Sequence, residues 1–349
     1  MLTIYNESLK NKLEIFIKKV VKKGKEKLIS DDPFNYYKNK NLYKSNLWVL
    51  LEDGEIVASV IIKKQKYFVS GKLKEIDFIK YPISLAIVDN NYLWASVALI
   101  QNIKMQFPMS YLLGMGGSKS KVAKIFSTLG FAIKDLPFYI KPLNLFNILT
   151  QNPLVIKYFN IITKLKLNSR NSSKNQKNIE YESKELNDFN NEDFINRIPI
   201  SSFELEKNYL QLNSLAPNEI KNFIKFRFYE KNLNVGNCTL FVSQANNHKY
   251  FGNLKVAVFL DLFFSENCID KKKLMNSLNY KLKQNNIDIL FFNCGSKEIL
   301  SILKMNKWFK YKSQWAIASS PELTSEIDLD DIYLSRLDGD GPINLGVEL

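Results

Sequence analysis

The sequence predicts an α/β fold made of two related domains in tandem, each a mixed central sheet flanked by helices. Three observations predict it. The length of 349 residues suits two domains of ordinary size. Hydrophobic residues make up 46% and aromatics 13%, enough for a sizeable core and too many for a disordered chain. A strand, glycine turn, helix and aromatic follow one another twice, at 110–131 and 288–309.

Residues 7–28 read as an amphipathic helix, with Leu9, Leu13, Phe16, Ile17, Val20 and Val21 at helical spacing. Lys18, Lys19, Lys22, Lys23, Lys25 and Lys27 lie on its other face and at its end. Such a helix suits either a solvated surface or peripheral contact with an anionic membrane. Segments 48–51 and 56–62 read as a hairpin around Asp53-Gly54. A strand over 83–88 is expected to end at the turn-forming Asp89-Asn90-Asn91. A helix follows at 93–105, and then a strand at 110–113 broken by Gly114, Gly116 and Gly117. A second helix at 119–129 is stopped by Gly130. The polar stretch 168–183 reads as linker. Beyond it, 217–229 reads as helix, 238–243 and 254–264 as strands, 270–285 as helix, 288–293 as strand and 297–306 as helix. The expected domains are 1–150 and 196–320, with a linker at 151–195 and a tail at 321–349.

The formal net charge is +14, which favours acidic partners: phosphates, a nucleotide, nucleic acid or an anionic membrane face. Much of it is lysine scattered among Asn and Ile. Cys238, Cys268 and Cys294 are few, odd in number and far apart, which argues against a disulfide framework or a zinc site and suits the reducing cytoplasm. No secretory signal and no uncharged apolar run of about 18 residues is visible, so no transmembrane helix is expected. No metal site is expected either.

Aligned without gaps, Gly117-Ser118-Lys119 matches Gly295-Ser296-Lys297, Leu112 matches Leu290 and Phe131 matches Phe309. The strand before each repeat is expected to end at an aspartate, Asp89 in one and Asp261 in the other.

The run Ala123-Lys124-Ile125-Phe126-Ser127-Thr128-Leu129-Gly130-Phe131 resembles the A-x-x-Y-x-x-x-G-F ending of the GNAT acyltransferase superfamily. The hairpin at 48–62 sits where that family has its central hairpin. The resemblance covers about 30–140 and, more weakly, 200–318. Two such domains are similar to Fem-type aminoacyl transferases and to acyltransferase-like proteins of surface-polysaccharide gene clusters. Segments 137–142, 225–228 and 333–341 look similar to the second group. What the resemblance implies is transfer of an acyl group from acyl-CoA, a co-substrate and not a tightly bound cofactor, to an amine. The implied acceptor is an amino sugar or sugar nucleotide. The alternatives are aminoacyl transfer from charged tRNA, which the +14 charge suits, and an inert scaffold that binds glycan or protein.

The family's pyrophosphate turn, R/Q-x-x-G-x-G/A, falls on Leu93-Trp94-Ala95-Ser96-Val97-Ala98, where Leu replaces Arg/Gln and Ser the first Gly. Stretch 267–272 shows no trace of it. The family's proton-donating Tyr falls at Phe126 and, in the second repeat, at Lys304. The expected catalytic residues are Asp89 and Asp261, as general bases toward an amine, and Arg227, as an anion clamp. Gly116, Gly117 and Ser118 in the glycine turn, Asn293 in its repeat, and Asp338 and Asp340 in the Asp-Gly-Asp-Gly tail are the candidate substrate contacts. His248, the only histidine, sits among Asn246, Asn247 and Lys249 and reads as a loop residue.

Overall fold

The computed structural model describes residues 2–21, 45–69, 72–151, 179–182, 223–230, 233–248 and 250–335. In chain order the elements begin with β1 (Leu2–Ile4), α1 (Lys10–Val21), β2 (Ser45–Glu52), β3 (Glu55–Val69), β4 (Lys72–Ser84), α2 (Leu93–Gln106) and β5 (Ser110–Met115). They continue with α3 (Lys121–Thr128), β6 (Ala132–Asp135), β7 (Phe138–Pro142), α4 (Leu145–Gln151), β8 (Ile179–Glu182), β9 (Phe223–Glu230) and β10 (Leu233–Gln244). The last are β11 (Lys255–Phe264), α5 (Lys271–Gln284), β12 (Ile289–Asn293), α6 (Lys297–Met305), β13 (Phe309–Tyr311), β14 (Trp315–Ser319) and α7 (Pro321–Thr324).

The chain divides into two compact units. The first holds a seven-stranded sheet in the order β1-β2-β3-β4-β5-β14-β6, and the second one in the order β13-β7-β12-β11-β10-β9-β8. The two orders correspond strand for strand, so β4 answers to β11 and β5 to β12. A linear reading of the sequence did not anticipate one feature. Strand β14, which follows β13 in the chain, lies in the first sheet between β5 and β6. Strand β7, which follows β6, lies in the second sheet between β12 and β13. Each sheet is completed by a strand from the far side of the other unit's sequence.

Strand character follows the burial period. On β9, Phe226 and Phe228 are fully buried and alternate with the half-buried Arg227 and Tyr229. Burying a phenylalanine of this kind contributes about 1.5–3 kcal/mol. The helix expected over 217–229 is therefore a strand from Phe223 onward, because the apolar period is two and not 3.6. Ile179–Glu182, read from sequence as linker, is β8 and pairs with β9. Strand β4 ends at Ser84, and 85–87 is a 3-10 turn, so the strand expected to run to Val88 stops four residues earlier. Helix α2 sets Ala95, Leu99, Ile100 and Ile103 into the first core, and α5 sets Leu274, Met275, Leu278 and Leu282 into the second. Of the expected first helix, α1 covers the part to Val21, and Lys22, Lys23, Lys25 and Lys27 lie outside the described residues, as do most of the expected linker and the tail aspartates Asp338 and Asp340.

Candidate functional site

In each sheet two neighbouring strands run parallel, pair for three residues and then part. In the first unit the pairs are Asp77–Ser110, Phe78–Tyr111 and Ile79–Leu112. In the second they are Val256–Ile289, Ala257–Leu290 and Val258–Phe291. An irregularity in the register lies just beyond the last pair each time, at Ser59/Ile61 against β4 and at Thr239/Leu240 against β11. A bulge bends the strand that carries it, which is the local cause of the parting. Tyr81, at the first bulge, takes a left-handed φ of 50°. The strand that parts then leads to a helix, α2 in one unit and α5 in the other, whose N-terminus carries the positive end of its dipole.

The two helix heads differ. At α2 the N-cap residue, Tyr92, makes no side-chain cap bond. Asp89, exposed, accepts from the Asn91 N–H at 2.9 Å and opens the 3-10 turn before the helix. Ser96, which stands where the family has glycine, turns its hydroxyl to Ser84 Oγ at 2.6 Å. Ala95 is buried, while Leu93, Trp94 and Val97 are exposed. Five of the six residues 93–98 are apolar, and the Leu93 N–H is taken by the Asn90 carbonyl of the preceding 3-10 turn.

At α5 the chain's own carboxylates take the corresponding donors. Glu230, on β9, accepts from the N–H groups of Ile269 and Asp270, both at 3.0 Å. Asp270 caps the helix through the Lys273 N–H at 2.9 Å. Lys271 forms an ion pair with Glu298. The parted strand is occupied as well. Leu262, four residues past the last pair with β12, donates its N–H to the Tyr333 hydroxyl at 2.9 Å, and that hydroxyl donates to Asp261 Oδ1.

These contacts set each expected residue in place. Asp261 is fully buried within β11, which continues to Phe264, so it does not end its strand. Asp89 lies five residues past the end of β4, so the two aspartates are not equivalent in position. Arg227 pairs with Asn237, and Asp261 pairs with Thr239 two residues along the same strand. Arg227 and Asp261 thus share one face of the second sheet, two strands apart, and Asp89 belongs to the other unit. Gly114, Met115, Gly116 and Gly117 all have positive φ, which explains three glycines there. The Asp135 carboxylate closes that turn, accepting from Ser118 N at 2.7 Å and Ser118 Oγ at 2.6 Å. Asn293 is buried and donates to the Pro137 carbonyl at 3.4 Å. Phe126 is fully buried against Phe131, and Lys304 is exposed. His248 accepts from the backbone of Tyr250 and Phe251 through Nδ1, a loop-stabilising use.

Glu230 and Tyr333 were missed by sequence reasoning. Glu230 lies about 40 residues before the donors it meets, and Tyr333 follows the last repeat element, so no local spacing marks either. The three cysteines are buried thiols. Burial, with the Glu230 carboxylate adding to it, pushes Cys268 up to about 11, too high for a ready nucleophile. A groove lined by Lys104, Met105 and Gly130 lies at the opposite end of α2 from its head. Among the described residues, no cluster of three or more His, Cys, Asp or Glu is placed to hold a metal ion, and no helix is long and apolar enough to cross a membrane.

No protein-family model matches the chain, and no curated protein matches it. Solved structures do. A GCN5-related N-acetyltransferase from Anabaena variabilis ATCC 29413 has a TM-score of 0.57 at 10% identity, over 91% of this chain and 72% of that one. A conserved protein of unknown function from Enterococcus faecalis V583, described as a "Probable N-Acyltransferase", has a TM-score of 0.51 at 9% identity, over 93% of this chain and 73% of that one. The likeness is one of fold: the chain has the GNAT architecture, as two tandem mixed α/β sheets flanked by helices.

Proposed function

We propose that the protein is an N-acyltransferase that takes its acyl group from acyl-CoA and that its first unit holds the donor. The observation that carries this is the difference between the two helix heads. Three N–H groups around α5 are taken by Glu230 and Asp270, whereas at α2 the carboxylate cap, Asp89, sits one 3-10 turn earlier, on the Asn91 N–H, and the Leu93 N–H is taken by the Asn90 carbonyl. A carboxylate already seated on such donors repels a second anion and must be displaced before a phosphate can bind.

In this proposal the donor's diphosphate lies on the backbone of Leu93–Ala98 and its thioester in the gap past Ile79 and Leu112. The diversion of Ser96 to Ser84 keeps that hydroxyl on the strand side. The acceptor amine attacks the thioester carbon, backbone N–H groups stabilise the oxyanion, and the C–S bond breaks to release the thiolate, which is protonated by solvent. Asp89 is the exposed carboxylate nearest in sequence to the α2 head, and we give it the amine's proton, directly or through water. Phe126 is excluded as the acid for the leaving thiolate, because it is a buried hydrocarbon ring. An amino sugar or sugar nucleotide of surface-polysaccharide assembly in the cytoplasm is the proposed acceptor, and that part rests on the family resemblance. A second reading, aminoacyl transfer from tRNA, is favoured by the +14 charge alone and predicts steeply salt-dependent tRNA binding.

The deciding experiment is calorimetric titration with acetyl-CoA and a longer acyl-CoA at low and moderate salt. Saturable binding of one donor per chain that survives moderate salt is expected. Absence of binding by both donors overturns the proposal.

A further inference from the structure

We infer that the outward side of α2 is a docking face for an anionic membrane surface, which Trp94 and Met105 enter while neighbouring lysines meet the headgroups. Helices α2 and α5 follow corresponding strands, yet they meet water differently. The exposed residues of α5 are Lys272, Lys273, Asn276, Lys283 and Gln284, all polar. Helix α2 turns outward Leu93, Trp94, Val97 and Met105, which are 57%, 43%, 37% and 72% exposed. At 3.6 residues per turn these four fall within one arc of about 120°. Lys104 is the only charged residue of the helix, and its ammonium is turned to the Leu129 carbonyl at 3.1 Å. A single apolar residue at a surface is ordinary, whereas a contiguous row of large ones marks a face that meets something apolar.

Charge selects the occupant. Helix α3 reaches the C-terminal part of α2 through that Lys104–Leu129 bond and exposes Lys121, Val122 and Lys124, with no carboxylate of its own. Asp89 and Glu322 stand at the two ends of α2, outside the apolar row. The chain carries a net charge of +14, so a second copy laid on this face meets repulsion, while an anionic lipid surface attracts it. Trp94 has the ring suited to a membrane interface, an apolar body with one N–H donor. No helix among the described residues is long and apolar enough to cross a membrane, and the inward side of α2 is taken up by Ala95, Leu99, Ile100 and Ile103. The helix therefore lies along the surface with the first core behind it.

The test is flotation of the full chain with vesicles of phosphatidylcholine and with vesicles that also hold phosphatidylserine, at low and moderate salt. Flotation with the anionic vesicles alone is expected, with tryptophan quenching by bromine-labelled acyl chains that disappears in Trp94→Gln. Trp94→Gln combined with Met105→Gln is expected to weaken partition at least about tenfold with an unchanged unfolding midpoint. Lys121→Gln is expected to weaken it about fivefold. Failure of the unaltered protein to float overturns the inference, and so does a double variant that floats equally well, which shows adsorption by charge alone. An oligomer in light scattering that the double variant abolishes also overturns it, by making a second copy the occupant. The inference rests on the exposed side of α2 and the assay contains no CoA, so its failure and failure of the donor proposal are read separately.

Discussion

The two units share a strand order, a three-residue parallel contact and a bulge in the same place, yet they differ in what surrounds the parted strands. In the first, Asp89 caps the 3-10 turn that runs into α2, no side chain caps at Tyr92, and Ser96 is tied to Ser84. In the second, Glu230, Asp270 and Tyr333 satisfy the same kinds of backbone donor from within. The fold rests on buried apolar side chains, which both units keep. Ligand choice rests on a few polar atoms, and three carboxylate bonds and one phenol suffice to separate two copies of one architecture.

The largest way to break the comparison is to remove one member. Ile317 is buried at the centre of β14 and pairs with Leu113. Ile317→Asp places an unpaired carboxylate there and is expected to cost at least about 4 kcal/mol, abolishing the first unit's unfolding transition in denaturant titration. Next in size is a swap of helix heads. Tyr92→Asp gives α2 the N-cap residue that α5 has, and is expected to weaken acyl-CoA binding about 10- to 100-fold in calorimetry. Tyr92 also packs against the first core, so the comparison is made with Tyr92→Asn, which makes the same loss of packing without the charge and is expected to keep more of the binding.

A smaller effect belongs to Asp77, the first residue of the parallel contact in the first unit. Burial pushes its carboxyl from 3.8 to about 6, opposed by Lys64 and helped by Glu75. The folded state therefore favours the protonated acid. The stability it contributes is present below about pH 4 and is lost as pH rises through about 6. Its partial exposure limits the loss to the order of 1 kcal/mol, read as the difference in pH profile between the unaltered protein and Asp77→Asn. The second unit has Val256 at this position and no such dependence is expected there. Smallest is the exposed Lys64–Glu75 pair at 2.7 Å, where Lys64→Met is expected to change stability by less than about 0.5 kcal/mol.

Much of the fold was legible because local signals agree with it. The Asp53-Gly54 hairpin, the helix stop at Gly130 and the glycine turn at 114–117 each follow from chemistry confined to a few residues, whereas Gly295, its counterpart in the repeat, has no positive φ. Segment 223–229 was misread because Phe226 and Phe228 alternate over too short a run to exclude a helix before the pairing to β10 is known. The site was less legible. Spacing drew Asp89 and Asp261 into one class, but a bulge and a 3-10 turn put them at different offsets from the parallel contact. Glu230 meets Ile269 and Asp270 only through tertiary structure, as does Tyr333 with Leu262, and no periodicity encodes contacts of that range.

The exchange of β7 and β14 sets a schedule for synthesis. Strand β6 is attached to its sheet only through β14, which lies on the far side of the whole second sheet in sequence. At ordinary rates of about 5–20 residues per second, the ribosome needs on the order of 10–40 s to pass from β6 to β14. Throughout that interval β5 presents an unpaired edge, open to pairing with a neighbouring nascent chain. The yield of native protein is thus expected to depend on how quickly one short strand, Trp-Ala-Ile-Ala-Ser, reaches an edge that has long been waiting for it.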